Sequence, residues 1–309
     1  MVNNEYLLSI CIPTYNRSKE LDNTLKSIID AIGENNHTVE IVVSDNNSTD
    51  GTNNIIKRYR ENNKNIKYYK NDINVKDKNF PLVLSRANGK YLKLSNDSFC
   101  YNKESINYMI NIIRENFDEQ NQLIFFNNSI QYQKKLDLNS FMKLISYNIT
   151  DIQNFGIWKN DFTYDEIGCN QSLYQIYKFM DVNKRKKETM LISNNYGYRQ
   201  YNKTKDLSYG LYNVFYINYL SIFKDSLLEN RISNDCYYYL KKDIILNFFA
   251  YWIANAKINS DNYVLSKNEN IESLIDEECK KEKYNYIYLL KKYYFVFKKY
   301  IKKIYDKYE

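Results

Sequence analysis

The stretch Leu7-Leu8-Ser9-Ile10-Cys11-Ile12-Pro13-Thr14-Tyr15-Asn16-Arg17-Ser18 decides how the rest of the chain is read. A short apolar run is stopped by Pro13, which has no N–H to give a sheet, so residues 7–12 predict a buried strand. Beyond it Leu21, Leu25, Ile28, Ile29 and Ile32 recur at helical spacing. Ser18 stands where an N-cap belongs, and Gly33 ends the segment. A strand that turns directly into a helix is the opening unit of an α/β protein.

The pattern repeats outward. Residues 39–43 form a second apolar strand, and Ser48 or Asp50 can cap a helix over about 52–61. Strands follow at 66–69, 91–94 and 123–126, with helices at 82–87, closed by Asn88-Gly89, and at 102–117. Such alternation predicts a mostly parallel, Rossmann-like sheet flanked by helices, with ligands at the carboxyl ends of its strands. After about residue 135 the pattern changes. Residues 151–170 are polar, aromatic and weakly periodic, whereas 171–180, 212–226 and 237–257 look helical. We read three parts: 1–135, 136–275 and 276–309. In the last, Ile287, Leu290, Tyr294, Phe297, Ile301, Ile304 and Tyr308 are spaced alternately three and four apart. Lys291, Lys292, Lys298, Lys299, Lys302 and Lys303 lie off that stripe, giving an amphipathic helix with a lysine-rich face.

Composition removes several classes of function. The 309 residues are 44% hydrophobic, enough for a packed core. The five cysteines, Cys11, Cys100, Cys169, Cys236 and Cys279, make no CxxC clip, which argues for reduced thiols and against a zinc ribbon. His37 is the single histidine, so a His-based zinc hydrolase or a Ser-His-Asp triad would need His37 itself; it sits in a polar stretch and reads as an exposed loop residue. No signal peptide or membrane-spanning run is read, and the expected place is the cytoplasm. Net charge is +7, but residues 281–309 hold nine lysines against three acids. The excess therefore sits in the tail, and no nucleic-acid channel across the body is expected.

Four polar clusters stand at predicted strand ends. In Pro13-Thr14-Tyr15-Asn16-Arg17, Tyr15 can stack on a flat base and Arg17 can meet a phosphate. In Ser44-Asp45-Asn46-Asn47-Ser48-Thr49-Asp50-Gly51-Thr52, the Asp45 carboxylate can accept an N–H from a base edge, although Asp, Asn and Ser are also ordinary turn residues. Arg86-Ala87-Asn88-Gly89-Lys90-Tyr91 and Ser95-Asn96-Asp97 complete the set. Asp97 can bind a divalent cation, since Mg2+ and Mn2+ prefer carboxylate and phosphate oxygens.

In order and spacing these clusters resemble the family 2 glycosyltransferases, over about residues 7–100. That family opens with a strand and a Pro-x-Tyr-Asn turn, continues with an Asp-rich strand end, and reaches a DxD motif through an Ala-x-Gly-x-Tyr approach. The group nearest is the one that adds sugars to bacterial O-antigen or capsule repeats, similar to abequosyltransferases. The resemblance implies a GT-A fold and a nucleoside-diphosphate sugar held by Pro13, Thr14, Tyr15, Arg17, Asp45, Asn47, Arg86, Asn96 and Asp97. UDP stands ahead of GDP, CDP or dTDP. It also implies Mg2+ or Mn2+ on Asp97, which aligns with the second acid of the DxD, although the motif here reads Ser95-Asn96-Asp97 and its first carboxylate is missing.

Inverting members take a base from the C-terminal half to deprotonate the acceptor hydroxyl. Asp161, Asp165 and Glu166 are the candidates, with Trp158 nearby to stack on a sugar ring. No Gln-x-x-Arg-Trp motif is present, so a non-processive enzyme is expected. Its acceptor would be a glycan or a lipid-linked sugar. For the latter, residues 281–309 would touch the inner leaflet as a peripheral helix; pairing in a homo-oligomer is the other use of such a helix. Two other readings are a nucleotidyl- or phosphotransferase, which would favour a Gly-rich loop that 13–17 lacks, and an inactive nucleotide-sugar-binding protein.

Overall fold

The structure is a computed structural model, and it describes residues 6–118, 123–128, 132–186, 188–200, 205–207, 209–258, 263–265 and 270–305. The first strand, β1 (Leu8–Thr14), is buried along almost its whole length, as a strand covered on both faces must be. Helix α1 (Ser18–Ile32) buries Leu21, Leu25, Ile28 and Ile32 and ends at Gly33, which takes the left-handed φ of 54°. Ser18 does not cap it. Asp50 supplies the carboxylate instead: one oxygen accepts the Ser18 N–H at 2.9 Å and the other the Thr52 N–H at 3.0 Å. One acid thus serves the N-termini of α1 and α2 (Thr52–Asn62).

Strands β2 (Val39–Asp45), β3 (Ile66–Lys70) and β4 (Tyr91–Leu94) join β1 in parallel. The register sets Thr14 beside Asp45 and Leu94 beside Cys11, so the polar strand ends finish at one edge. Helix α3 (Asn79–Ser85) lies between β3 and β4. The short β5 (Phe99–Tyr101) leads to α4 (Ser105–Glu115), which buries Ile106, Met109, Ile110 and Ile113.

Residues beyond 135 also build this body. Strands β6 (Leu123–Asn128) and β7 (Tyr132–Asp137) belong to it, and so does β8 (Gly156–Trp158); α5 (Leu138–Ile145), between β7 and β8 in the chain, falls in the second unit from residue 139 on. β8 pairs antiparallel with β4 and closes a five-stranded sheet of order β3-β2-β1-β4-β8. β6, expected in that sheet, instead lies parallel to β9 (Glu188–Asn194), which also pairs with β7 in a separate three-stranded sheet. Helix α6 (Tyr174–Asn183) connects β8 to β9, and β10 (Gly197–Arg199) pairs with β5. The first compact unit is therefore 1–138 with 148–200, not 1–135 alone, because these later strands complete its sheets.

The second unit comprises 139–147 and 201–309. Strands β11 (Lys205–Leu207) and β12 (Tyr263–Leu265) pair in parallel. The rest is helical: α7 (Tyr219–Leu228), α8 (Asn234–Asp243), α9 (Ala250–Ile258), α10 (Ile271–Lys281) and α11 (Asn285–Tyr305). Two π-helical stretches, Asn213–Asn218 and Ile244–Phe249, precede α7 and α9. Tyr212, Phe215, Tyr216, Phe248 and Phe249 meet as an aromatic cluster.

Candidate nucleotide-sugar site

The first unit has a cavity of about 370 Å3 where its four parallel strands end. After β1 come Pro13, Thr14, Tyr15 and Arg17; after β2, Asn46; after β3, the wall formed by Asn74, Lys76, Asp77, Asn79 and Phe80; after β4, Asn96 and Asp97. Ile152 completes the lining. Such a convergence of loops at strand carboxyl ends is where α/β sheets bind ligands.

The turn after β1 is locked to the turn after β2. Asn16 takes the left-handed φ of 51°, which Asn tolerates better than most residues. Its N–H donates to Ser48 Oγ at 2.9 Å, and its side-chain oxygen accepts the Thr49 N–H at 2.8 Å. The Asn46 N–H donates to the Thr14 carbonyl at 2.8 Å. These bonds leave Tyr15 45% exposed over the cavity mouth, free to stack on a ring.

Asp97 is buried beneath this turn. Thr14 Oγ1 donates to its Oδ2 at 2.9 Å, and an Arg17 guanidinium nitrogen donates to its Oδ1 at 3.1 Å. Burial pushes the Asp97 carboxyl above its ordinary range; Arg17 and Thr14 pull the other way. Asn96 turns its side-chain oxygen to the Ser98 N–H and hydroxyl, at 3.1 and 2.7 Å, and its own N–H donates to Gln153 Oε1 at 2.9 Å. Below this loop lies Lys93, a fully buried lysine whose Nζ donates to the Gln153 carbonyl. Burial lowers its pKa to about 7.

The wall after β3 is held by amides. Asn46 Nδ2 donates to Asn74 Oδ1 at 2.8 Å and to the Lys76 carbonyl at 3.2 Å, and Asn46 Oδ1 accepts the Val75 N–H at 2.8 Å. Asn71 Nδ2 reaches both Asn46 and Asn79, and Asn79 in turn bonds Ser44. Lys76 sits in this turn at a φ of 53° and is exposed. Burial raises the Asp77 pKa; a Ser172 hydroxyl and Lys76 oppose it.

Among the residues singled out from sequence, Pro13, Thr14, Tyr15, Arg17, Asn96 and Asp97 come together around the cavity. Asp45, Asn47 and Arg86 are not in its lining. Asp45 is fully buried, with one oxygen accepting the Ser48 N–H at 2.8 Å and the other the Tyr68 hydroxyl at 2.7 Å. Asn47, at a φ of 67°, belongs to the turn. Arg86 donates to Ser44 Oγ at 2.5 Å and to Asn71 Oδ1 at 2.8 Å, with its guanidinium 5.1 Å from the Tyr69 ring centre. It therefore ties the amide network together and is not in the cavity lining.

The three candidate bases are not in the lining either. Asp161 pairs with Lys186 at 2.8 Å, Asp165 with the buried Lys178 at 2.7 Å, and Glu166 with Lys78 at 2.6 Å. The Glu166 pKa is lowered, mainly by its Lys78 hydrogen bond, which weakens it as a proton acceptor. Trp158 cannot stack on a sugar, because it is fully buried with its ring 5.1 Å edge-on from Tyr91. Sequence reasoning passed over Asn46, Asn74, Lys76, Asp77, Asn79, Phe80 and Ile152. The usable signal was position: 71–80 follows a third parallel strand, at the same edge as the other clusters.

An open, mostly parallel sheet with a polar cavity at its strand ends, and no glycine-rich phosphate loop, defines an α/β domain of GT-A type. Residues 9–157 match the family described as Glycosyl transferase family 2. The abequosyltransferase RfbV of Salmonella typhimurium is 41% identical over 102 residues, which span 32% of this chain and 30% of that relative. S. aureus TarS 1-349 in complex with UDP superposes with a TM-score of 0.58 at 16% identity, covering 81% of this chain and 74% of that one. The mannosyltransferase PcManGT of Pyrobaculum calidifontis, in complex with GDP-Man and Mn2+, gives a TM-score of 0.53 at 12% identity, covering 95% of this chain and 87% of that one. These two structures share the fold.

Proposed function

We propose that the protein is a glycosyltransferase that moves a sugar from a nucleoside-diphosphate sugar to a bacterial surface glycan or a lipid-linked acceptor, with inversion and without processivity. The observation that carries this reading is the cavity formed by Pro13–Arg17, Asn46 and Asn96–Asp97 inside the stretch that matches the family. Tyr15 offers a face for the base, and the basic side chains beside it suit a diphosphate. The abequosyltransferase relative supports a surface-glycan acceptor, and the UDP complex of TarS supports UDP as the first nucleotide to try.

The residues present do not fit a ready-made divalent-cation site. Both Asp97 oxygens are engaged by Thr14 and Arg17, Ser95 stands in place of the first acid, and the amide oxygen of Asn96 accepts from Ser98. No group of three His, Cys, Asp or Glu able to hold a metal occurs among the described residues. No step is therefore assigned to a metal.

Contact with a membrane surface is proposed for α11. Tyr286, Leu290, Tyr293, Tyr294 and Phe297 are exposed on one side of it, and Lys280, Lys281, Lys283 and Lys298 are exposed around them. Lys291 and Lys292 instead bond inward to Asn247 and Glu272. The side chains of Lys299 and Ile301–Ile304, and Tyr308, lie outside what is described. No helix among the described residues is long and apolar enough to cross a membrane.

Incubation with UDP-, GDP-, CDP- and dTDP-sugars, read as release of free nucleotide, tests the catalytic reading. Release from one donor class, rising when an acceptor glycan is added, is expected. No release from any donor, with or without Mg2+ or Mn2+, contradicts it.

A further inference from the structure

The cavity holds two acids and two bases, and they are not equivalent. Arg17 neutralises Asp97 through one nitrogen of its guanidinium, 3.1 Å from Oδ1. A guanidinium has five N–H donors in a planar fork, so this bond leaves others to face a ligand. The Arg17 side chain is 48% exposed while Asp97 is buried, so the free edge of the fork is the accessible one. Asp97 is in turn fixed by Thr14, and Thr24 Oγ1 donates to its carbonyl at 2.8 Å. The second base, Lys76, lines the same cavity from a left-handed turn. That φ is costly for a lysine unless its surroundings hold it, and Asn46 and Asn74 do so from both sides.

We propose that the diphosphate of a nucleoside-diphosphate donor is held by the side-chain cations Arg17 and Lys76, with Asp97 serving as the anchor of Arg17 and not as a divalent-cation ligand. This rests on the donor reading given above. The two cations approach from different loops, one after β1 and one after β3. A diphosphate bridging them would meet the outer edge of Arg17 on one side and Lys76, with Asp77 next to it in the lining, on the other. Fixed basic side chains then do what a bridging cation would do: they offset the negative charge on the leaving diphosphate as the bond to the sugar breaks.

The test is calorimetric binding of UDP, GDP, CDP and dTDP to the full chain, in EDTA and in Mn2+, with the matching nucleoside as the control. The tightest diphosphate is expected to bind in EDTA about as well as in Mn2+. Arg17→Met and Lys76→Met should each weaken it by about tenfold or more, leaving the nucleoside unchanged, and Arg17→Lys should recover part of the loss. Thermal melts accompany each variant; if Arg17→Met does not fold, the exposed Lys76→Met carries the test alone. Binding that appears only with Mn2+, or variants that weaken nucleoside and diphosphate alike, would overturn this proposal and leave the glycosyltransferase reading standing. If no diphosphate binds in either buffer, the donor reading fails, and this proposal with it.

Discussion

The strand-end cluster of the first unit and the C-terminal helix of the second invert one another's surfaces. Around the cavity, polar groups are inside: Ser44, Asp45, Asn46, Asn71, Asn79 and Asp97 are buried and bonded to neighbouring groups. On α11 Tyr288 is buried, but several apolar groups are outside, with Leu290 71%, Tyr293 67% and Phe297 66% exposed, while Lys292 is buried. Both arrangements run against the free energy of transfer to water. A buried polar group is tolerated only when it is bonded, so the first arrangement fixes a rigid, preformed site. An exposed apolar strip is tolerated until something covers it, which is why the second is proposed above as a contact surface.

The largest effect should come from the core that underlies the rigid side of this contrast. Trp158→Ala is expected to lower stability by about 3–5 kcal/mol, measured by urea unfolding, because the ring fills the junction of β4 and β8. A loss below about 1 kcal/mol would mean that residues past 135 do not complete the first unit. Lys93 gives a pH signature. Its folded pKa of about 7 lies below the unfolded value near 10.4, so between those limits the unfolded chain binds the extra proton. This group therefore makes stability rise with pH from about 7 to about 10, by up to about 1.4 kcal/mol per pH unit. Lys93→Met should flatten that rise; an unchanged slope would show that the ammonium stays charged in the fold.

Asp165 separates structure from chemistry. Its partner Lys178 is fully buried and also donates to Thr163 Oγ1 at 3.0 Å. Asp165→Asn should destabilise by about 1–3 kcal/mol, with nucleotide affinity retained. Turnover that collapses while the melting temperature holds would instead make Asp165 the base. The smallest effect on folding belongs to the exposed strip: Tyr293→Glu with Phe297→Glu should change stability by no more than about 0.5 kcal/mol per site. The same pair should abolish sedimentation with anionic vesicles. Vesicle binding that survives would move the membrane contact elsewhere, and loss of a dimer would identify a second copy as the partner.

The sequence exposes the rigid region far better than the open one, for physical reasons. Residues 7–94 switch between strand and helix periods with clear stops at Gly33 and Gly89, so β1 to β4 and α1 were readable, although β1 runs through Pro13 to Thr14. β8 was not, because three residues are too few to show a period. The pairing of β6 with β9 joins segments distant in the chain, and local pattern carries no information about that. Within the site, Thr14, Arg17 and Asp97 were found through their motifs. The amide wall at 71–80 was missed because Asn-rich loops look like ordinary turns. Arg86 was found but misplaced, since its partners Ser44 and Asn71 are set by tertiary packing. On α11 the 3-4 spacing was real, but spacing alone does not say which face is covered.

The most direct test is a crystal structure with the tightest-binding nucleoside diphosphate. It should place the base against Tyr15 and the diphosphate between Arg17 and Lys76, with the Arg17–Asp97 pair intact. A nucleotide bound away from the loops that follow β1 to β4, or a cation seated on Asp97 with Arg17 displaced, would contradict the account.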